Sequence, residues 1–265
     1  MLAQRLLAVV IGVPIVIGTI LCPVTSVFKI FVALCLLLAL FEFFTVVSFP
    51  KNERLFAVAV GLLHTLTLLF CPAAGKNGWI EISLLLMAIF LFYCFLPRKG
   101  LEGVAQKIGL TVLGSLYIGT FGATVGLTRD LPNGVFWVSV LLAMTWLNDT
   151  FAYFVGHRLG RRRLAPMISP GKTIEGFIGG FFGSFAGFLL FWFLLDNSVS
   201  WLQGILLTLC VGVAGPLGDL SESLIKRSFG VKDSGNIIPG HGGMLDRIDA
   251  LLFTAPIVYL FANSL

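Results

Sequence analysis

Residues 27–49 read VFKIFVALCLLLALFEFFTVVSF, and beyond Lys29 that run holds one charged side chain, Glu42. Its length exceeds the roughly 20 residues that cross the hydrocarbon core of a bilayer. Comparable apolar runs recur at roughly 6–22, 55–73, 79–96, 108–128, 134–155, 176–195, 200–218 and 250–264. They predict an all-α, polytopic integral membrane bundle of about nine transmembrane helices. The last run is short, so eight spans are the alternative. Composition points the same way: the 265 residues are 57% hydrophobic and 12% charged, with mean hydropathy +0.98. A soluble domain carries about 25% charged residues.

Charge asymmetry orients the bundle. With the N-terminus in the cytoplasm, only Lys29, Lys76 and Arg129 of the 18 Lys and Arg fall on the far side. The two most basic loops, 157–175 and 219–249, then share the cytoplasmic face. The net charge of +5 follows from such loops facing anionic headgroups, and no other basic face is large enough to bind nucleic acid. Thr19-Ile20-Leu21-Cys22 has the outline of a lipoprotein cleavage site. Leu21 stands where a small residue is needed, so the first helix is expected to be retained. Cys22, Cys35, Cys71, Cys94 and Cys210 lack metal-ligand spacing and read as free, buried, small apolar residues. The helices divide into an N-terminal group of about four within residues 1–107 and a C-terminal group, 108–265, that carries the polar residues.

Ionisable groups inside a membrane are costly and mark function. Asn148 and Asp149 interrupt the sixth run in its cytoplasmic part. Glu42 is read as reaching water from the cytoplasmic end of its helix, and His64 as a hydrogen-bonded packing residue. Gly215, Pro216 and Gly218 weaken the eighth run, where broken backbone would line a polar cavity. If a helix resumes there, Asp219, Ser223 and Arg227 share one face, with Lys226 beside them. Pro239-Gly240-His241-Gly242-Gly243 has the composition of an anion-binding backbone nest, or of an ordinary turn. Asp246 and Asp249 follow at i, i+3. Carboxylates without Cys or paired His indicate a hard cation such as Mg2+. Lys226, Arg227, Lys232 and Arg247 can neutralise phosphate oxygens. In the other basic loop, Arg161 to Arg163 read as holding anionic lipid. Thr173 reads as a helix cap, with Lys172 near the anion-binding helix start. The whole suits phosphoryl or nucleotidyl transfer between a polyphosphate and a lipid, a chemistry that needs positioning and neutralised charge.

One pattern is more specific. Ser223-x2-Lys226-Arg227-x4-Lys232-Asp233-x-Gly235-x2-Ile238-Pro239-x-His241-Gly242-Gly243-x2-Asp246-Arg247-x-Asp249 resembles the defining motif of the phosphatidate cytidylyltransferases without a mismatch. Asp149-x2-Ala152-Tyr153-Phe154-x-Gly156 and Ile168-Ser169-Pro170-x-Lys172-Thr173-x-Glu175-Gly176 are similar to that family too. Gly171 stands where the pattern leads one to expect lysine, and His157 where Arg or Lys is commoner. The resemblance implies conversion of CTP and phosphatidate into CDP-diacylglycerol and pyrophosphate, with Mg2+ as cofactor, at the cytoplasmic face of the inner (plasma) membrane. It implies Asp219 and Asp246 as Mg2+ ligands, with Asp249 as a third. Lys226, Arg227 and Arg247 would bind phosphates, Lys232 and Asp233 would order the substrate loop, and His241 would hydrogen-bond a phosphate. Ser223, Gly242 and Gly243 belong to the same substrate surface. Asn148, Asp149, Ser169, Lys172, Thr173 and Glu175 would complete the pocket. The expected partners are CTP, phosphatidate, the bilayer and a second copy of the chain in a homodimer. A transporter would spread its polar residues across the bilayer, whereas these gather on one side. The aspartate pattern of the CDP-alcohol phosphotransferases is absent. A sibling enzyme acting on another lipid phosphate stays open.

Overall fold

The structure, a computed structural model, describes residues 2–71, 78–95, 101–192, 199–237 and 242–265. Its helices are α1 (Leu2–Leu21), α2 (Thr25–Val46), α3 (Lys51–Phe70), α4 (Gly78–Phe95), α5 (Val104–Gly114), a π-helical turn (Ser115–Thr120), α6 (Phe121–Thr128), α7 (Gly134–Leu159), α8 (Ile174–Trp192), α9 (Trp201–Ser228) and α10 (Leu245–Asn263). The α5–α6 rod is continuous through its π turn. Six of these stretches are long and apolar enough to cross a membrane: Thr25–Val46, Lys51–Phe70, Val104–Thr128, Gly134–Leu159, Ile174–Trp192 and Trp201–Ser228. Between α7 and α8 lies a two-stranded antiparallel hairpin, β1 (Arg163–Ala165) and β2 (Ser169–Thr173). The 157–175 segment gave no sign of it, because three- and five-residue strands are too short to show a period.

Two helical pairs frame the site. Small residues let α7 and α8 meet closely: a Cβ on Gly187 would fall 2.7 Å from the Met144 backbone. Asn148, fully buried, stitches the same pair, its Nδ2 donating to Gly180 O (3.0 Å) and Ser184 Oγ (2.9 Å). The α9–α10 pair touches backbone to backbone, since a Cβ on Gly218 would fall 2.4 Å from Asp249 O. Phe43, Phe44, Leu141, Met144, Phe188, Leu207, Leu252 and Val258 fill the core between these helices and α2.

Contrary to the sequence reading, α9 does not break at Pro216. It starts at a capping box, with Gln203 N donating to Ser200 Oγ and Ser200 N to Gln203 Oε1, and runs to Ser228. Proline removes one internal hydrogen bond and crowds the carbonyl one turn back, yet the helix continues through it. His64 donates or accepts at Thr120 Oγ1 (2.8 Å), the packing role expected of it. Among the described cysteines, Cys71 and Cys210 are exposed on the bundle surface rather than buried.

At the end of the bundle remote from Glu42, basic side chains close helix ends. Lys29 pairs with Asp130 and donates to Leu69 O (2.8 Å) at the end of α3; Arg129 donates to Ile20 O (3.1 Å) and Cys22 O (3.0 Å) at the end of α1. Cations suit C-terminal carbonyls, where the helix dipole is negative. Lys29 and Glu42 lie 13 residues apart on one helix, about 20 Å, which separates this clasp from the site.

Candidate active site

The site is built where α7, the hairpin, α9 and α10 converge on a cavity of about 770 Å3, within the roughly 300–1,000 Å3 typical of small-molecule sites. Helical phase brings Asp149 of α7 and Asp219 of α9 to its wall. The Gly218 contact sets Asp219 beside Asp249 of α10, and Lys172 reaches in from β2. Thr173 caps α8 by accepting Gly176 N (3.1 Å), which holds the hairpin against the helix start. Lys172 Nζ pairs with Asp219 (2.7 Å) and donates to Pro216 O (3.3 Å); Ser223 Oγ donates to the other oxygen of Asp219 (3.3 Å).

Of the residues read from sequence, Asn148, Asp149, Lys172, Thr173, Asp219, Asp246, Arg247 and Asp249 line this cavity. Others lie behind or beside it. Glu175 turns away, its Oε2 accepting Arg161 N (3.0 Å) and Arg162 N (3.2 Å). Arg227 donates to Val231 O (3.4 Å) at the end of α9. Ser169 sits on β2, and Lys232 and Asp233 are exposed on the following loop. Gly242 takes a positive φ of 84°, which glycine adopts without strain, and Gly243 is buried under it. His241 lies outside the described residues. Arg163, assigned to lipid headgroups by sequence, lines the cavity with Tyr153 and His157. Gly171 also lines it, and a side chain there would meet nothing within 4 Å.

Lys226 is nearly buried, held between Glu222 (2.5 Å) and Asp246 (2.6 Å). Asp246 further accepts Ser234 N (3.2 Å) and Gly243 N (2.8 Å), so both of its oxygens are engaged. Burial would raise this carboxyl, but the Lys226 ammonium and the Gly243 N–H outweigh it and hold it at about 2. Asp249, on the same first turn, has the opposite setting: burial, then repulsion from Asp219, push it up to about 7. Sequence reasoning missed Glu222, the second partner of Lys226. Its i, i+4 spacing from Lys226 was the available signal.

Glu42 corrects its reading. It is 2% exposed, and its carboxylate accepts from Ser234, Met244 and Leu245 rather than from water. The tip of a short Glu reaches only as far as its neighbours permit, and α10 covers it.

Among the described residues, no three acidic, His or Cys side chains converge as a ready-made metal cage. Asp219 and Asp249 nevertheless face one cavity with charge in excess of Lys172. One or two carboxylates with water and substrate phosphates complete the shell is the usual habit of Mg2+, and this donor set fits it.

A model of the cytidylyltransferase family matches residues 3–265. A phosphatidate cytidylyltransferase of Bacillus subtilis (strain 168) is 39% identical over 181 residues, 68% of this chain and 66% of that protein. One of Staphylococcus aureus (strain COL) is 36% identical over 215 residues, 78% and 80% of the two chains. One of Staphylococcus haemolyticus is 46% identical over 127 residues, spanning about half of each, 48% of both chains. With its apolar helices, the chain is an integral membrane protein.

Proposed function

The chain belongs to the cytidylyltransferase family, and from that membership we propose that it transfers a cytidylyl group from CTP to phosphatidate, giving CDP-diacylglycerol and pyrophosphate. The observation that carries this reading is the single cavity joining Asp149, Asp219 and Asp249 to Lys172 and Arg247 at the end of an apolar bundle. The named relatives supply the reaction. A phosphate oxygen of phosphatidate attacks the α-phosphorus of CTP in line, a new P–O bond forms, and the bond to pyrophosphate breaks. No general base is required, since the lipid phosphate is already anionic.

In this reading Asp219 and Asp249 hold Mg2+, which when bound neutralises charge on the transferring phosphates. Asp246 stands third, and ligation by it would require release of one of its present partners. Arg247, Lys172 and Arg163 take phosphate oxygens, and Asp149 completes the acidic wall. Lys226 steadies Asp246 from behind. Arg227, Lys232, Asp233 and His241 serve the substrate loop, while Ser223 orients Asp219. Topology extends the proposal: about nine spans, the N-terminus and the site on the cytoplasmic face of the inner membrane, and a homodimer as the assembly. The positive-inside count supports that orientation.

The test is purified protein in detergent with labelled CTP, phosphatidate and Mg2+. Label is expected in the organic phase, released with equimolar pyrophosphate and dependent on the cation. Folded protein that makes no labelled lipid sinks the proposal.

A further inference from the structure

Glu42 belongs to none of the motifs that marked the site, yet it is tied to them by three hydrogen bonds. It lies one turn before the end of α2 and is 2% exposed. A buried carboxylate is costly unless hydrogen bonds or opposite charge replace its water. Among the described residues no cation pairs with it. Its Oε1 accepts Met244 N (2.9 Å), and its Oε2 accepts Leu245 N (2.8 Å) and Ser234 Oγ (2.9 Å). Met244 and Leu245 are the cap and first residue of α10, and the Met244 side chain supplies no cap. Glu42 therefore does from another helix what a capping Ser or Asp does locally, placing negative charge at the positive end of α10.

The contact reaches the cavity through two residues. Ser234 donates its hydroxyl to Glu42 and its N–H to Asp246 (3.2 Å). Gly243 N donates to Asp246 (2.8 Å), and a Cβ on Gly243 would fall 2.0 Å from Ser234 Oγ and 2.4 Å from Glu42 Oε2. Glu42, Ser234, Gly243 and Asp246 thus form one closed knot with no room for a larger residue. What the knot fixes is the first turn of α10, from which Arg247 and Asp249 face the cavity.

We propose that Glu42 is a positioning residue for the nucleotide and cation half of the site. It sets the direction of the first turn of α10 without touching substrate. This role rests on the cytidylyltransferase reading above and deepens it.

Glu42→Gln keeps the side chain's size, but its amide must turn an NH2 toward a backbone N–H of Met244 or Leu245. In detergent, kcat/KM for CTP should fall by about tenfold or more, since a displacement of about 1 Å distant from the chemistry can cost that much. The apparent Mg2+ requirement should rise, while KM for phosphatidate stays within about twofold. Ser234→Ala removes one of the three bonds, so its loss should be smaller, and it should add little to the loss in Glu42→Gln because both break the same knot. Should Glu42→Gln fail to fold, Ser234→Ala alone still reports the CTP-selective loss.

Binding is also read without turnover, as the rise in melting temperature on adding CTP with Mg2+; that rise should shrink in both variants. A lower melting temperature with CTP and Mg2+ dependence unchanged would overturn the proposal and leave Glu42 a structural cap. Equal loss toward both substrates would overturn it too. If the wild type makes no labelled lipid, the reaction assignment fails. The melting shift then decides the role of Glu42 by itself: a shift equal in wild type and variants, or absent from all, overturns it.

Discussion

At Lys226 one ammonium serves two carboxylates, Glu222 and Asp246, and that arrangement separates residues that look alike in the sequence. The family resemblance implies both Asp219 and Asp246 as metal ligands. In the structure Asp219 is partly exposed and Asp246 is enclosed by three partners. Asp219→Asn should abolish turnover, by more than about a hundredfold, and leave the melting temperature near that of the wild type. Asp246→Asn should also lower the melting midpoint by about 5 °C, roughly 2 kcal/mol, because a buried ion pair loses a member while Glu222 still serves Lys226. Equal thermal behaviour of the two variants would show that the Lys226 pair contributes nothing. Asp249 predicts a pH effect. Its carboxyl is pushed up to about 7, so below that pH a proton should compete for it with the cation of the proposed site. The Mg2+ concentration for half-maximal rate should rise by about tenfold per pH unit below that value and level off above it. A requirement flat across the range would remove Asp249 from the cation site. The sequence made these acidic residues visible because charge is rare in the chain. It hid Glu222 and the true setting of Glu42, whose partners lie about 200 residues away.

Among the elements, α9 and the hairpin depart furthest from the sequence reading. The run to residue 218 was legible as apolar. Its extension to Ser228 was not, because the added turns carry Asp219, Glu222, Lys226 and Arg227, and Gly215 and Pro216 imitate a stop. Continuity is what carries Asp219 on one rigid rod past Asp249. Gly218 is the contact point, and Gly218→Ala should force α9 away from α10, since its Cβ would sit 2.4 Å from a backbone oxygen. A loss of about 1–3 kcal/mol in stability is expected, seen as a lower unfolding midpoint, together with reduced activity in the protein that stays folded. A variant with full activity would mean that the two helices can separate without disturbing the site. The caps were easier to read: Thr173 was recognised as the start of α8 because capping needs only a side chain and the next turn.

Over the whole molecule, the division at residue 107 separates sequence features more cleanly than it separates the structure. The cavity is lined from the C-terminal group, but the knot that sets α10 includes Glu42 from the N-terminal one, and the far clasp joins α1, α2 and α3 to the end of α6. Residues 108–265 expressed alone should therefore give no active enzyme, and co-expression with residues 1–107 should restore membrane-bound activity, measured as labelled lipid. An active C-terminal fragment would show the N-terminal helices to be dispensable. The distance between Glu42 and its partners also sets an order of events during synthesis. Leu245 follows Glu42 by 203 residues, so at about 5–20 residues per second it leaves the ribosome on the order of 10–40 s later. Throughout that interval α2 has neither of the backbone donors of Met244 and Leu245 that it will finally hold. The growing chain thus carries an acidic group awaiting a helix made some 200 residues later, and the site can close only after that helix has followed.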